Sequence, residues 1–278
     1  MNITLQKSKI AKASIVKITG SKSESNRLLL LQALYPNIEI SNVSNSDDSK
    51  LMQKALSSDS SIVDIHHAGT AMRFLTAYFS LQEGREITLT GSSRMQERPI
   101  KILVDALRDL GADISYLKNE GYPPLKIKGH TLTKHQVTLA ANVSSQYISA
   151  LLLIAPRLKK GIELILKGKI TSVPYIKMTL NLLEQIGVIT SFEDNKIIVN
   201  PINEVAAKKL VVESDWSSAS YFYSIVALSN VGTKIELSSY KLNSLQGDSV
   251  LSTIYKDFGV ETVFNNTSIT LSLIHISE

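Results

Sequence analysis

The sequence predicts an α/β fold assembled from repeated units, and a recurring pattern of helix, glycine and strand carries that prediction. In each case an amphipathic stretch ends at a glycine and an apolar extended stretch begins at once. The glycines are Gly111, Gly187 and Gly259, which lie 76 and 72 residues apart. Glycine suits a helix C-terminus because the residue there often adopts the left-handed conformation. This spacing predicts a unit of two helices and several strands. The three helices predicted in this way are 103–110, 180–186 and 251–258.

Composition and charge limit the classes of protein. The 278 residues are 44% hydrophobic and 20% charged, which allows one large globular domain or two smaller ones. The net charge of +5, with 6% aromatic residues and no long Lys/Arg run, does not indicate nucleic-acid binding. It does suit an enzyme of acidic metabolites, which a positive cleft attracts. The absence of cysteine excludes disulfides, thiolate metal sites and cysteine nucleophiles, and it suits the cytoplasm. No apolar run approaches the length of a membrane span or a signal-peptide core, so we expect no membrane association.

The elements follow in order along the chain. Hydrophobic spacing and the helix start and stop signals define them, and Asp47 or Asp48 is the predicted cap of the second helix. They are strands within 3–18 that end at Gly20, a helix over 24–34, a strand over 38–43, a helix ending at Leu56, a helix opening within 66–73, a strand over 86–90, a helix over 100–110 and a strand over 112–117.

The segment from Gly20 to Arg27 is the first candidate site. Lys22 precedes a helix start, and Ser23 and Arg27 are four residues apart, on one face of its first turn. The free N–H groups and positive dipole of a helix N-terminus bind phosphates and carboxylates. The alternative is an ordinary capped helix with two solvated cations.

Hydroxyl groups also mark other predicted helix starts. Capping explains any one of them. Together they permit parallel helices whose N-termini point at one cavity, and Arg27, Arg73 and Arg98 each lie within a few residues of such a start. Arginine suits bidentate recognition of phosphate or carboxylate. The other starts lie at Gly69-Thr70, 143–146, 171–175 and 214–218.

Several common motifs are missing. The sequence contains no GxGxxG fingerprint, no phosphate loop of the GxxxxGK[ST] type, no HExxH and no GxSxG. The adjacent His66 and His67 suit a turn better than a pair of metal ligands on one helix face. Asp215, at a helix start, is equally compatible with capping and with a site role.

The ordered motifs resemble the 5-enolpyruvylshikimate-3-phosphate synthase (EPSP synthase) family along most of the chain. The resemblance implies transfer of the enolpyruvyl group of phosphoenolpyruvate to the 5-hydroxyl of shikimate 3-phosphate, through a tetrahedral intermediate and without metal or organic cofactor. It also implies an inside-out α/β barrel of two domains, each of three α/β units, with the active site between them. The matching segments are GSKSESNR (20–27), SDD (46–48), AGTAMR (68–73), RMQERP (94–99), YPPLKIKG (122–129), SSQYISALLLIAP (144–156), SVPYIKMTLNLLEQIGV (172–188), DWSSASYF (215–222) and NSLQGD (243–248).

The resemblance assigns roles to matching positions. Lys22 would contact both substrates near the reacting centre, and Gln146 would also reach both. Gly69, which lacks a side chain, would leave room for phosphoenolpyruvate, and Arg98 would bind it. The remaining positions implied to bind shikimate 3-phosphate are Ser23, Arg27, Ser144, Ser145, Ser172 and Tyr175, with the three serines 144, 145 and 172 near its phosphate. Further candidates are Thr70, Arg73 and Asp215.

The chain also departs from the family pattern. Phe74 and His67 stand where proline and asparagine are common, and Trp216 replaces a small residue. The family chain runs past 400 residues, so we expect this chain to lack most of the second domain and its acidic general acid/base residues, and to turn over poorly or not at all. We expect residues 21–213 to form a complete N-terminal domain, residues 1–20 with 214–278 to begin the C-terminal domain, and 271–278 to be a foreign tail.

The resemblance leaves two alternatives for function. One is the related transferase that acts on UDP-N-acetylglucosamine, whose loop usually carries a cysteine that this chain lacks. The other is a noncatalytic anion-binding or nucleic-acid-binding protein. The implied partners are the two small-molecule substrates, with neither nucleic acid nor membrane, and the full-length protein is implied to be a monomer.

Overall fold

The chain forms two compact units in the computed structural model, which describes residues 3–4 and 10–274. The longer unit consists of residues 22–212, and the shorter unit consists of residues 1–21 together with 213–278. Along the sequence, the longer unit is therefore inserted into the shorter one.

The described residues contain helices from one to more than three turns long. They are α1 (Lys22–Leu34), α2 (Asp47–Leu56), α3 (Gly69–Ser80), α4 (Ser93–Gln96), α5 (Lys101–Leu110), α6 (Ser145–Ile154), α7 (Val173–Gln185), α8 (Trp216–Ala227) and α9 (Leu251–Ile254). Short 3-10 turns follow α6 (Ala155–Arg157) and flank α9 (Gly247–Val250 and Tyr255–Phe258).

The strands are three to six residues long. They are β1 (Ala13–Val16), β2 (Ile38–Ser41), β3 (Ile62–Asp64), β4 (Glu86–Thr90), β5 (Asp113–Tyr116), β6 (Leu125–Lys128), β7 (Gln136–Ala140), β8 (Ile162–Lys167), β9 (Thr190–Glu193), β10 (Lys196–Val199), β11 (Lys208–Val211), β12 (Lys234–Ser238), β13 (Val260–Phe264) and β14 (Ser268–Leu273).

Two sheets of the longer unit share one topology. Their strand orders are β3-β4-β6-β5 and β7-β8-β10-β9. In each, a parallel pair is joined through a helix, α3 or α6, and an antiparallel hairpin completes the sheet. A second helix, α5 or α7, precedes the hairpin. Each sheet thus belongs to a βαβαββ unit, and β11 pairs in parallel with β2 beside α1 and α2 in a smaller third arrangement.

The shorter unit repeats this topology. Its sheet has the order β1-β12-β14-β13, with β1 parallel to β12 and β14 antiparallel to both of its neighbours. The predicted cap glycines fall at the same point of each unit, between the second helix and the hairpin, and all are left-handed, with φ of 108° at Gly111, 93° at Gly187 and 75° at Gly259. The repeated α/β unit predicted from these glycines is confirmed.

Each unit has its own apolar core. In the longer unit α3 is buried along its whole length and α6 is buried except at Gln146. Helices that are apolar on all sides belong in an interior. In the shorter unit Trp216 is fully buried against Tyr223 and Tyr240. None of the described helices combines the length and hydrophobicity that a membrane-spanning segment needs.

Some predicted elements were wrong. Ser46, not Asp47 or Asp48, caps α2, because its extended backbone lets its side chain accept from the Ser49 N–H. The helix predicted over 251–258 is a single α-turn between 3-10 turns, since that segment buries no side chain to stabilise a longer helix. The strands predicted within 3–18 reduce to β1, and residues 5–9 lie outside the described residues. Sequence patterns did not predict β3 and α4. Of the expected tail, residues 271–273 end β14, and 275–278 are not described.

Candidate active site

Helices α1, α3 and α6 run parallel in the longer unit, so their N-termini lie at one end. At that end Gln146, the second residue of α6, donates from Nε2 to Oγ1 of Thr70, the second residue of α3, over 3.3 Å. The opposite ends of the three helices meet at a cavity of about 470 Å³. Its lining includes Leu34, the last residue of α1, together with Gln82 after α3 and Lys159 after α6. Since the starts of α3 and α6 are in contact and the ends of all three helices line one cavity, the helices run in the same direction.

Arg27 connects α1 to α6 and α7, one to two turns into each helix. Its Nε donates to Thr179 Oγ1 of α7, and its Nη2 donates to Ser149 Oγ of α6, each over 2.8 Å. Its Nη1 donates to the Ser23 carbonyl, also over 2.8 Å. The Arg27 side chain therefore ties α1, α6 and α7 together at the level of the predicted site residues.

Two aromatic rings cover the Arg27 guanidinium. Its central carbon lies 5.4 Å from the centre of the Phe74 ring and 5.9 Å from that of Tyr175, distances at which cation–π attraction operates. Arg27 is only 3% exposed. Burial lowers its pKa to about 10, so the guanidinium stays charged at neutral pH. This gives the site a fixed, preoriented positive charge.

Lys22 begins α1 at the surface. Its side chain is 51% exposed, and Nζ lies 3.9 Å from a carboxylate oxygen of Asp48 in the first turn of α2. Ser23 is half-buried beside it. A solvent-facing ion pair of this kind is weak. The Lys22 ammonium is therefore available to an incoming anion at the same helix start as Arg27.

Gly69 and Arg98 form a second close pair. A Cβ atom at Gly69 would lie 2.4 Å from Arg98 Nη1, so the absent side chain is what allows the guanidinium to approach the start of α3. Arg73 lies beneath this pair, 5% exposed. Its Nη1 donates to the Gly69 carbonyl over 3.0 Å and its Nη2 to the Pro99 carbonyl over 3.2 Å. Arg73 thus contacts backbone on both sides of the pair.

A basic cavity opens beside this pair. Its volume is about 680 Å³, and His67, Arg94, Met95 and Arg98 line it. His66, with φ of 46°, forms the turn before α3, as the sequence indicated. Among the described residues, no group of three or more His, Cys, Asp or Glu side chains could hold a metal ion. The lining suits a small anion.

The hydroxyl groups at the other helix starts differ in their roles. Ser144 caps α6 by accepting from the Gln146 N–H, and Ser145 behind it is 8% exposed. Ser172, the residue before α7, has φ of 56° and makes no capping hydrogen bond. Asp215 caps α8 by accepting from the backbone N–H and the hydroxyl of Ser218, over 2.9 and 2.8 Å. Capping therefore accounts for Ser144 and Asp215 but leaves the Ser172 hydroxyl for other partners.

The structure groups most of the predicted residues in the longer unit. Around the starts of α1, α3, α6 and α7 it places Lys22, Ser23, Arg27, Gly69, Thr70, Arg73, Arg98, Ser144, Ser145, Gln146, Ser172 and Tyr175. Asp215 belongs to the shorter unit.

Sequence reasoning missed Ser149 and Thr179, which bind Arg27. The available signal was a hydroxyl two residues after Tyr147 in an apolar segment, and another four residues after Tyr175. Phe74 was noted as a departure from the family pattern, but its contact with Arg27 was not predicted.

The sequence model of the EPSP synthase (3-phosphoshikimate 1-carboxyvinyltransferase) family matches residues 55–275. A 3-phosphoshikimate 1-carboxyvinyltransferase of Bacteroides fragilis strain YCH46 is 49% identical over 258 residues, which cover 92% of this chain and 62% of that protein. The enzyme of the same name from Photobacterium damsela subsp. piscicida is 38% identical over 275 residues, covering 88% and 64% respectively. The chain thus spans about three fifths of the length of these relatives.

A solved structure shares the fold. The EPSP synthase of Acinetobacter baumannii superposes with a TM-score of 0.77 at 20% sequence identity, covering 94% of this chain and 65% of that one. At this identity the likeness concerns the fold alone, which is that of the repeated α/β units described above. Because the family model covers most of the chain and the repeated fold agrees with it, this chain belongs to the EPSP synthase family.

Proposed function

We propose that the longer unit carries the shikimate 3-phosphate side of an enolpyruvyl-transfer site. In the reaction, the 5-hydroxyl group of shikimate 3-phosphate gives up its proton and its oxygen bonds to C2 of phosphoenolpyruvate, while C3 gains a proton and becomes a methyl group. The tetrahedral intermediate then loses a proton from that methyl group and expels phosphate from C2 to leave the enol ether. The observation that carries the proposal is Arg27, a buried cation held in place by the helices that contribute the other predicted residues.

The chemistry of the four helix starts supports this substrate. Shikimate 3-phosphate has a phosphate and a carboxylate, and both are recognised by cations, hydroxyl groups and backbone N–H groups. Parallel N-termini add partial positive charge at one end of the unit. We propose that Ser144, Ser145 and Ser172 bind the phosphate and that Ser23, Arg27, Gln146 and Tyr175 bind the rest of the molecule.

Phosphoenolpyruvate is proposed to bind beside the Gly69–Arg98 pair and to contact Lys22. The close approach of Arg98 to Gly69 and the adjacent basic cavity favour a small dianion there. Lys22 and Gln146, at neighbouring helix starts, would contact both substrates. Donors fixed before binding also stabilise charge that develops during addition.

The wider organisation is also proposed from the family. We infer that the longer unit is the N-terminal domain and that the shorter unit is part of the C-terminal domain. We further propose that the whole protein acts as a monomer in the cytoplasm. The absence of cysteine supports that location.

Product formation tests the proposed function. The whole protein, in excess over phosphoenolpyruvate, is mixed with shikimate 3-phosphate or with UDP-N-acetylglucosamine, and the enol ether is identified by mass spectrometry. We expect product only with shikimate 3-phosphate, and we expect Lys22→Ala to abolish it while Lys50→Ala, an exposed lysine of α2, does not. Product from the sugar nucleotide, from both acceptors or from neither would contradict the proposal.

A further inference from the structure

We propose that Ser149 and Thr179 are positioning residues, which fix the Arg27 guanidinium in the orientation that receives an anionic group of shikimate 3-phosphate. The inference rests on the proposed function for its ligand. It goes beyond that function by assigning a role to two buried hydroxyl groups on helices α6 and α7, both behind the predicted binding residues.

The geometry forms a closed triangle of polar groups. Arg27 donates from Nε to Thr179 and from Nη2 to Ser149, and the two hydroxyl oxygens lie 2.9 Å apart. Both hydroxyl-bearing residues are 0% exposed. The guanidinium has five N–H groups, and the described hydrogen bonds use three of them, so one on Nη1 and one on Nη2 carry no described hydrogen bond.

Helix capping and local bonding do not account for both hydroxyl groups. The Thr179 hydroxyl also donates to the Tyr175 carbonyl over 2.9 Å, a hydrogen bond that a threonine in the middle of a helix commonly makes. Ser149 has no such local contact among its described hydrogen bonds, which join it only to Arg27 and Thr179. Burying a hydroxyl in an apolar helix is unfavourable unless it is bonded. The partner that justifies Ser149 is therefore Arg27.

Fixing Arg27 in advance favours binding. A long arginine side chain loses conformational freedom when a ligand immobilises it, and this opposes affinity. Two hydrogen bonds from different helices hold the guanidinium plane before the ligand arrives, with Phe74 and Tyr175 covering its faces. Loss of either hydroxyl group should leave Arg27 charged, but its guanidinium plane would no longer be held in one orientation.

The first measurement is calorimetric binding of shikimate 3-phosphate by the 278-residue chain. We expect Ser149→Ala and Thr179→Val each to raise the Kd about 10-fold, as for a lost hydrogen bond to a charged group. Ser149→Thr and Thr179→Ser keep a hydroxyl group, and we expect them to keep the wild-type Kd. The matched controls are Ser80→Ala and Thr76→Val. These buried hydroxyl groups of α3 bond only to carbonyls of their own helix, so their loss should change the Kd less than about twofold.

A double-mutant cycle separates positioning from general structural damage. In an Arg27→Met background, Ser149→Ala and Thr179→Val should have no further effect on binding, because the group they orient is gone. Equal losses with and without Arg27 would show that the hydroxyl groups act on packing alone. Unchanged binding in both backgrounds would overturn the inference as well.

A second readout needs no ligand. The Arg27 Nε–H, assigned by its loss in Arg27→Lys, should exchange slowly with water in 15N-resolved NMR, and Thr179→Val should make it exchange fast while Thr76→Val leaves it slow. If the wild-type chain bound no shikimate 3-phosphate, the proposed function would fail and this readout would decide the positioning role alone. Exchange that Thr179→Val leaves unaltered would overturn it.

Discussion

Arg73 shows how a buried residue of a site motif can hold the backbone around a candidate site. Sequence reasoning placed it among the candidates for binding because it follows a predicted helix start. In the structure Arg73 is 5% exposed, and its guanidinium donates to two carbonyls, one at the start of α3 and one just after Arg98. The ring of Tyr147 lies 5.9 Å away, and Tyr147 donates to the same Pro99 carbonyl. Arg73 is thus a link between two backbone segments that hold Gly69 and Arg98.

Replacing Arg73 with methionine should therefore destabilise the longer unit. The change removes two hydrogen bonds that a buried charged group donates, so we expect the free energy of unfolding to fall by about 2–3 kcal/mol. Urea unfolding followed by circular dichroism measures this, with Lys50→Met on the exposed face of α2 as the control. A loss of less than about 0.5 kcal/mol, the usual range for a surface change, would contradict the role.

Tyr223 makes the shorter unit sensitive to alkali. Burial raises its pKa from 10.0 to about 12, and it raises the pKa of Tyr240 as well. Below pH 10 both the folded and the unfolded states hold the phenol proton. Above pH 10 the unfolded state releases it first, so the stability that is present at lower pH is lost as the pH rises towards 12.

Unfolding at pH 9 and pH 11 should show this loss. Trp216 is the chain's one tryptophan and lies in the same core, so its fluorescence reports on the shorter unit. Tyr223 alone should account for a fall of about 1.4 kcal/mol in unfolding free energy over this interval. In Tyr223→Phe the fall should be smaller by that amount. An equal fall in the variant would show that Tyr223 is not the titrating group.

The residue scale also shows where sequence reasoning ends. Lys22, Ser23 and Arg27 were found because they are neighbours in sequence at a recognisable helix start. Ser149 and Thr179 were not, because they are 122 and 152 residues away from Arg27 and lie within apolar stretches. A single hydroxyl in such a stretch has the pattern of a core helix, and only the tertiary contacts reveal its partner.

At the scale of elements, the left-handed glycines end the second helix of each repeat. Gly111 has φ of 108°, and its N–H donates to the Arg108 carbonyl over 2.9 Å. A side chain would fit, since the nearest atom to a Cβ there is 3.6 Å away, so the constraint is backbone conformation. This is why glycine spacing predicted the repeat when side-chain identity differed between copies.

Substitutions at Gly111 should follow backbone preference rather than size. We expect Gly111→Ala to lower the unfolding free energy by about 1–2 kcal/mol, and Gly111→Asn by less because asparagine tolerates the left-handed region. Gly111→Val should cost more than alanine. Chemical unfolding of the three variants gives the order, and asparagine costing as much as valine would rule out this explanation.

Helix α8 carries an apolar stripe on its exposed side. Tyr221 is 72% exposed, Ile225 is 38% exposed and Leu228 is 88% exposed, while Trp216 and Tyr223 on the opposite side are fully buried. A contiguous apolar surface of this kind favours association. By contrast, α3 and α6, which connect the parallel strands of the corresponding units in the longer unit, are buried on nearly all sides.

We therefore predict that α8 makes the 278-residue chain self-associate, whereas the whole protein is proposed to be a monomer. Tyr221→Lys combined with Leu228→Lys should shift the sedimentation coefficient towards the monomer at micromolar concentration. Ile189→Lys, at a 70% exposed position of the longer unit, serves as the control and should not. Sedimentation that is equal in both variants would exclude α8 as the contact.

At the scale of the whole molecule, the sequence pattern indicated the repeated unit, whereas the division into two compact units followed only from the family resemblance. Glycine spacing indicated a repeated α/β unit, and the sheets of both compact units share that topology. The periodicity of the sequence did not predict that the shorter unit is built from two separate segments of the chain. Strand β1 pairs with β12 although the longer unit separates them in sequence, and only the family resemblance suggested that discontinuity. Pairing over such a separation leaves no local pattern in the chain.

The central claim is that the N-terminal turns of α1, α6 and α7 form a binding site for shikimate 3-phosphate around Arg27. The most direct measurement is calorimetric titration of the chain with shikimate 3-phosphate and with shikimate. Since the phosphate is proposed to receive hydrogen bonds at Ser144, Ser145 and Ser172, shikimate 3-phosphate should bind at least about 100-fold more tightly. Affinities within about threefold of each other, or no detectable binding of the phosphate ester, would contradict the account.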